Sequence, residues 1–407
     1  MNRENERVYK AIIVGGGASG LVAAILLSER FGGENVLLAE RLSRVGKKLL
    51  ATGNGQCNVT GRFENLSVFH GKSPSFCEYA LNKYGKNALL SFYENSGVPV
   101  IFDGDKGFPL SRQASSVVDA FRFKLSALKT KTACDAFVTD ISRKNGVFTV
   151  LTDSVERFLS ENVILACGGK AASHFGTDGN AYKLAEKFGH KITALYPSIV
   201  QLKCNVASLK GLKGLKQKVK VSAFADGVFL KSAAGDILFT DYGVSGNAAF
   251  LLSSYLTGKN GGVLSVDFIP DADEKILYEA LLKKIKNCGY LTNEYLLSGF
   301  MNGKIAAALL RNVGVDLSAA VDKCDLEKIV KTVKNYRIAV TGTLGFDDAQ
   351  VTRGGVETKD INPETMESAF EKGLYIVGEM LDIDGDCGGY NLTWAFASGA
   401  LAAESVK

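Results

Sequence analysis

The sequence predicts an α/β protein in which one parallel-sheet domain, written at both ends of the chain, is interrupted by an inserted middle. Three observations predict it. A strand–glycine–helix–strand unit occupies residues 10–40, a strand–loop–helix unit spans residues 374–405, and residues 194–344 follow neither pattern. At 407 residues the chain exceeds the usual size of one core, so two or more domains are expected. With 46% hydrophobic and 22% charged residues, it falls in the globular range. The net charge of +5 is small for this length; it favours anionic ligands weakly and does not by itself imply nucleic acid.

Residues 10–14 (Lys-Ala-Ile-Ile-Val) are a short β-branched run of the kind that fills a buried parallel strand. A glycine cluster follows. Residues 21–30 then have helix length, and residues 36–40 read as a second strand. This is βαβ in about 30 residues, for which a right-handed crossover is expected. Further along, residues 117–128 have helical spacing. Residues 133–141 and 147–152 read as strands joined at Asn145-Gly146, a favoured hairpin dipeptide. Residues 163–167 read as a buried strand ending at Gly168-Gly169, and residues 180–188 as a helix stopped at Gly189.

The insert, residues 194–344, is expected to be β-rich, with strands at 219–224 and 263–269 and a helical part at about 270–312. Its strongest helix is 271–286, where Leu277, Ala280, Leu281 and Ile285 share a face. The nucleotide-binding domain then comprises residues 1–193 and 345–407.

Gly15, Gly17 and Gly20 match G-x-G-x-x-G. The first permits a tight turn, the second lets a pyrophosphate approach the backbone, and the third lets the helix close on the sheet. The helix start at Ala18 and Ser19 then offers free amides and a positive dipole end. Glu40 follows Gly20 by 20 residues, where a carboxylate binds ribose hydroxyls and repels a 2′-phosphate. The fingerprint alone does not separate FAD from NAD.

Two further stretches point to FAD. Residues 44–60 carry Gly46, Gly53 and Gly55 among polar residues, which suits a backbone wrapped around a long cofactor, with Lys47 or Lys48 toward the pyrophosphate. Residues 378–399 join a strand to a terminal helix. Such a junction sets a helix N-terminus at the flavin N1 and O2 atoms, with Gly388, Gly389, Tyr390, Asn391 and Leu392 as candidates. Asp382, Asp384 and Asp386 suit ribityl or ribose hydroxyls; they lack the 12-residue calcium-loop pattern.

The sequence identifies no catalytic acid or base. Tyr390, Tyr242 and His174 are weak candidates, each better explained by packing or surface placement. Eight cysteines include no C-x-x-C pair and the three histidines are scattered, so no metal site or disulfide framework is expected. Cys57 is better read as a packed thiol than a nucleophile, Cys167 as core, and Cys387 is undecided. Residues 1–6 are polar, so no signal peptide is expected; without a membrane-length apolar run, the protein reads as cytoplasmic. Lysines 203, 210, 213, 216, 218 and 220 form a basic patch without interleaved aromatics, so nucleic acid is not the expected partner. Only one dinucleotide fingerprint is present, so NADH or NADPH, if used, would bind transiently.

The motifs at residues 13–20, 46–60, 239–246 (Phe-Thr-Asp-Tyr-Gly-Val-Ser-Gly), 351–356 (Val-Thr-Arg-Gly-Gly-Val) and 373–399 span nearly the whole chain. In them the sequence resembles a bacterial family of NAD(P)/FAD-dependent oxidoreductases that includes aminoacetone-oxidase-like and bile-acid 4,6-reductase-like flavoproteins. The resemblance implies a Rossmann-like FAD-binding domain interrupted by a β-rich and helical insert. It implies Ala18, Glu40, Gly53, Asn54, Gln56, Cys57 and Asn58 as cofactor neighbours, and Val138 as a backbone contact to adenine. Gly378, Glu379, Gly385, Asp386 and Gly389 to Leu392 complete the implied pocket. Gln56 stands where similar proteins have Arg, and Asp241 and Asn247 stand where His and Pro are expected. The expected activity is oxidoreduction of a small organic substrate at the flavin face, as NAD(P)H-linked C=C reduction. Amine or hydroxyl oxidation and tRNA modification are the alternatives. The oligomeric state is not legible.

Overall fold

The computed structural model describes residues 7–407 except 63, 289 and 322–325. The polar start at residues 1–6, and Cys324, lie outside the described residues. The chain divides into two compact units: Met1–Tyr196 with Gln350–Lys407, and Pro197–Ala349.

The first unit is built on a seven-stranded sheet. Its central strands are β1 (Val8–Val14) and Arg157–Leu165, paired in parallel; β2 (Val36–Ala39) pairs with β1, and Lys131–Ala133 with β2, both in parallel. Leu374–Ile376 adds in parallel along the far half of Arg157–Leu165, while the Val138–Lys144 and Val147–Thr152 hairpin adds antiparallel along its near half. Ala11, Ile12, Ile13, Leu37, Leu38, Val163 and Ile164 are fully buried, as expected for parallel strands covered on both faces. The hairpin turns at Asn145 and Gly146 with φ of 52° and 85°, the pair of left-handed residues that matches strand twist.

Residues 133–141 are not one strand. Lys131–Ala133 stops after pairing with β2, and Asp135 (φ 53°) turns the chain before Val138 opens the hairpin. Local β propensity did not carry that break; the Ala136 amide is taken instead by the Glu40 carbonyl at 2.9 Å. The helix expected at 180–188 is confined to Tyr182–Glu186.

Helix α1 (Ala18–Phe31) and the terminal helix Tyr390–Ser405 pack together, because small residues line their contact. A Cβ at Gly399 would stand 2.6 Å from the Ser19 carbonyl oxygen, so glycine sets the approach.

The second unit holds a closed six-stranded barrel, in the order Leu202–Cys204, Gly243–Ser245, Val228–Phe239, Lys216–Ala225, Gly262–Asp267, Tyr336–Thr343. Val219, Val221 and Ala223 point inward, while Lys216, Lys218 and Lys220 alternate outward. Helix Glu274–Asn287 starts at Asp273, whose carboxylate accepts the Ile276 amide at 2.7 Å. The helical part extends past 312: Leu326–Lys334 buries Leu326, Ile329, Val330 and Val333. Among the described residues, no helix is long and apolar enough to cross a membrane.

Candidate functional site

The turn from β1 into α1 is made possible by its glycines. Gly15 has φ 106°, and a Cβ there would lie 2.5 Å from the Ala166 carbonyl oxygen. A Cβ at Gly20 would lie 1.9 Å from the Gly15 carbonyl oxygen, so only glycine lets the helix close on the turn. Gly17 is different. It caps α1 without a side-chain hydrogen bond, and a Cβ there would meet nothing within 4 Å among the described residues. The first turn of α1, at Ala18 and Ser19, therefore looks into open space with its positive dipole end.

Glu40 follows β2 and is 9% exposed. Its two carboxylate oxygens accept the amides of Gly16 and Leu42, each at 2.8 Å. Burial raises its carboxyl pKa, against the two backbone hydrogen bonds and the charges of Arg41 and Lys47. The carboxylate thus braces the glycine turn. Val138, buried, lies two residues beyond Ala136, which is hydrogen-bonded to the Glu40 carbonyl.

The loop after β2 begins with the short helix Lys47–Ala51. Lys48 Nζ meets Glu379 Oε2 at 2.9 Å, and Glu379 Oε1 accepts the Thr352 amide at 2.8 Å. Lys48 is thereby tied to the other end of the chain. Gly53, Asn54, Gly55 and Cys57 then all have positive φ (58°, 54°, 83° and 57°). For Asn54 and Cys57 that conformation costs about 1–2 kcal/mol each. Gln56 is exposed; Cys57 is fully buried, and burial pushes its thiol up to about 11, so it is protonated at neutral pH. Asn58 Oδ1 is buried with no hydrogen-bond partner among the described residues.

At the other end, Gly378 (φ 67°) donates its amide to Ser398 Oγ and accepts from Trp394 Nε1, both at 3.0 Å. A Cβ on Gly378 would reach Ser19 Oγ at 2.7 Å, which places it against the start of α1. The Gly385 amide and carbonyl are both bonded to the Asn391 carboxamide. Gly389 (φ 91°) caps the terminal helix without a side-chain hydrogen bond, and its Cβ position lies 2.9 Å from Asn58 Oδ1. Thr60 and Thr393 hydroxyls meet at 3.0 Å, and Tyr390 donates to the Arg62 carbonyl at 3.1 Å. Leu392 is half-buried beside them. The three motif segments therefore converge, with the start of α1 on Gly378 and the Asn58–Thr60 stretch on Gly389.

The three aspartates separate onto different partners. Asp382 Oδ2 accepts the Lys72 amide at 3.1 Å, Arg353 reaches both oxygens of Asp384 at 3.1 Å, and His70 Nε2 meets Asp386 Oδ1 at 2.7 Å. Single-residue reading missed His70, which carries no local signal, and passed over Thr352 and Ser398 within the 351–356 and 373–399 motifs. Arg353, like Thr352, had a signal in the 351–356 motif. Tyr182 was also missed: its hydroxyl is buried without a partner among the described residues, and burial with the charges of Glu379 and Asp382 raises its pKa. Of the weak candidates, His174 packs on Phe175 at 4.1 Å, and Tyr242 belongs to the second unit. Burial raises the Cys387 thiol.

Comparison with known proteins gives these features a setting. The profile of a family described as HI0933-like protein Rossmann domain matches residues 9–405. The 3-dehydro-bile acid delta(4,6)-reductase of Clostridium scindens is 35% identical over 402 residues, covering 97% of this chain and 98% of that protein. The ribosomal RNA dihydrouridine synthase of Escherichia coli is 26% identical over 408 residues, covering 98% of each. Among solved structures, 3-ketosteroid-delta4-(5alpha)-dehydrogenase from Rhodococcus jostii RHA1 superposes with a TM-score of 0.49 at 16% identity, over 99% of this chain and 98% of that one. The chain belongs to the HI0933-like Rossmann-domain family and is an FAD-dependent oxidoreductase.

Proposed function

We propose that the protein reduces a C=C bond of a small organic substrate at the flavin face, with NADH or NADPH as reductant. The observation that carries this is the 35% identity, over nearly the full length of both chains, to a 3-dehydro-bile acid delta(4,6)-reductase. That name describes saturation of C=C bonds in conjugation with a ring carbonyl.

The converging segments fit FAD in their own chemistry. Supporting features are the open space at Gly17, Asn58 Oδ1 without a hydrogen-bond partner among the described residues, and the start of the terminal helix at Gly389, which has no side-chain cap. In this reading Gly15, Gly17, Ala18, Ser19 and Gly20 hold the pyrophosphate, with Lys47 adding positive charge, while Lys48, read as a second candidate, is spent on its ion pair with Glu379. Glu40 takes the adenosine ribose, and the Val138 backbone takes the adenine. Gly378, Glu379, Gly385 and Asp386 line the ribityl chain. Gly53, Asn54, Gln56, Cys57 and Asn58 surround the ring system together with Gly389, Tyr390, Asn391 and Leu392. When bound, FAD supplies hydride transfer; the chain supplies position and electrostatics. The Gly389 helix end directs its free amides toward negative charge, as the α1 start does for phosphate.

A second reading, reduction of a uridine in RNA, is favoured by two ribosomal RNA dihydrouridine synthases at 26% and 27% identity over 98% and 97% of this chain. The basic patch lends it little support, since Lys213 and Lys216 are paired with Asp241 and Asp236.

The test is anaerobic. The FAD-loaded protein is mixed with NADH or NADPH, and flavin absorbance at about 450 nm is followed. Bleaching, then reoxidation by a 3-oxo-4,6-diene steroid acid, is expected. Reoxidation by unmodified rRNA alone would establish the second reading, and bleaching by an amine or alcohol without pyridine nucleotide would establish an oxidase. Reduced flavin that persists with both the dienone and rRNA would end the reductase proposal.

A further inference from the structure

The segment that meets Gly389 continues outward. Thr60–Gly61 pairs with Lys106–Pro109, which pairs in turn with Val100–Asp103. Thr60 is anchored to Thr393 of the terminal helix, and the Arg62 carbonyl accepts from Tyr390, so this small sheet is fastened to the flavin-loop junction. Gly61 is pressed there too, with its Cβ position 2.4 Å from the Gly388 carbonyl oxygen.

On this sheet two cations share one ring. The Arg62 guanidinium lies 4.9 Å, and Lys86 Nζ 4.5 Å, from the Phe102 ring centroid. Both side chains are exposed, and neither has an ion-pair partner among the described residues. Lys106, paired across the strands with Gly61, adds a third positive charge near Cys387. The acids of the hairpin do not neutralise the pair on Phe102. Asp103 is engaged by Arg112 at 3.0 Å, and Asp105 forms no ion pair with Arg62 or Lys86 among the described residues, although its charge and that of Asp386 act on Tyr390. Lys86 also opens its helix, Lys86–Asn95, whose first turn has no acidic residue, so its charge stands against the helix dipole.

This arrangement is unfavourable alone and favourable around an anion. Two like charges held on one ring repel each other, and the ring's face fixes their spacing while leaving their N–H groups free to donate. A carboxylate accepts several such donors and cancels the repulsion. Resting on the reductase reading above, we infer that Arg62 and Lys86 on Phe102, with Lys106 at the rim, receive a carboxylate carried by the substrate. Its reacting C=C bond then lies at the flavin face while its acid end is held beside Tyr390. A small acid fits better than RNA, because three cations and one platform ring make a point site rather than a phosphate-tracking stripe.

The experiment compares a 3-oxo-4,6-diene steroid acid with its methyl ester on the FAD-loaded protein. Arg62→Gln and Lys86→Gln are each expected to raise KM for the acid about threefold, and the double variant about tenfold or more. The ester's KM should move less than twofold, and Arg62→Lys should recover most of the acid's affinity. Added salt should weaken the acid alone. Parallel shifts for acid and ester, or none for either, would overturn the subsite. If the wild type reduces neither compound, the reductase reading has failed separately. The subsite is then judged from dissociation constants measured by flavin fluorescence: weakening of the acid alone supports it, and equal weakening overturns it. Loss of rRNA binding in the double variant with acid binding intact would also overturn it.

Discussion

Asn391 holds Gly385 by both ends of its peptide groups: Asn391 Oδ1 accepts the Gly385 amide and Asn391 Nδ2 donates to the Gly385 carbonyl, each at 2.8 Å. This ring ties the loop ahead of the terminal helix to the helix's own second residue. Asn391→Leu leaves a buried donor and acceptor without partners, at a cost of about 2–4 kcal/mol. Thermal unfolding should show a lowered Tm, and FAD retention on gel filtration should fall with it. A variant as stable as the wild type would show that the loop is held elsewhere.

Gly17 and Gly20 should separate cofactor binding from folding. A Cβ at Gly20 collides with the Gly15 carbonyl, so Gly20→Ala is expected to lower the yield of folded protein sharply. Gly17 has φ −82° and open space, so Gly17→Ala should fold with an unchanged apoprotein Tm. It should nonetheless weaken FAD by about tenfold or more, because the new methyl group occupies the pyrophosphate approach. Fluorescence titration of apoprotein with FAD measures this. Unaltered affinity would move the pyrophosphate away from the glycine turn.

Cys57 should behave as a packed thiol. With its pKa near 11, little thiolate is present at pH 7, so alkylation by iodoacetamide should be far slower than at a free thiol. Cys57→Ala should bind FAD and turn over substrate within a fewfold of the wild type. Loss of turnover with FAD still bound would make the thiol a participant.

Glu357 gives a pH dependence of known sign. Hydrogen bonds from Lys72 and Lys359 hold its carboxyl down at about 2, below the ordinary 4.5. The folded state therefore favours the ionised form. The resulting stability is fully present above pH 4.5 and is lost as pH falls toward 2. Both lysines are largely exposed, so salt should shrink the effect. Urea unfolding between pH 5 and 2.5 (a range set by those values) should show a shallower decline in Glu357→Gln than in the wild type. Equal slopes would assign the decline to other carboxylates.

The sequence by itself determined the first βαβ unit, the glycine turn with Glu40, the terminal helix and the FAD assignment. Each is encoded in contiguous residues, where period, glycine spacing and strand length act over one or two turns of chain. The same locality misled the reading of residues 133–141, because a single left-handed residue, Asp135, ends one strand and frees the next to pair elsewhere. Only the tertiary structure decided that Glu40 grips Gly16, that Lys48 meets Glu379, and that Asn58 and Gly389 come together across more than three hundred residues. Those contacts depend on β1, β2 and the strand Leu374–Ile376 lying in one sheet. Pairing between distant strands is set by the burial of the whole core, which no short window of sequence contains.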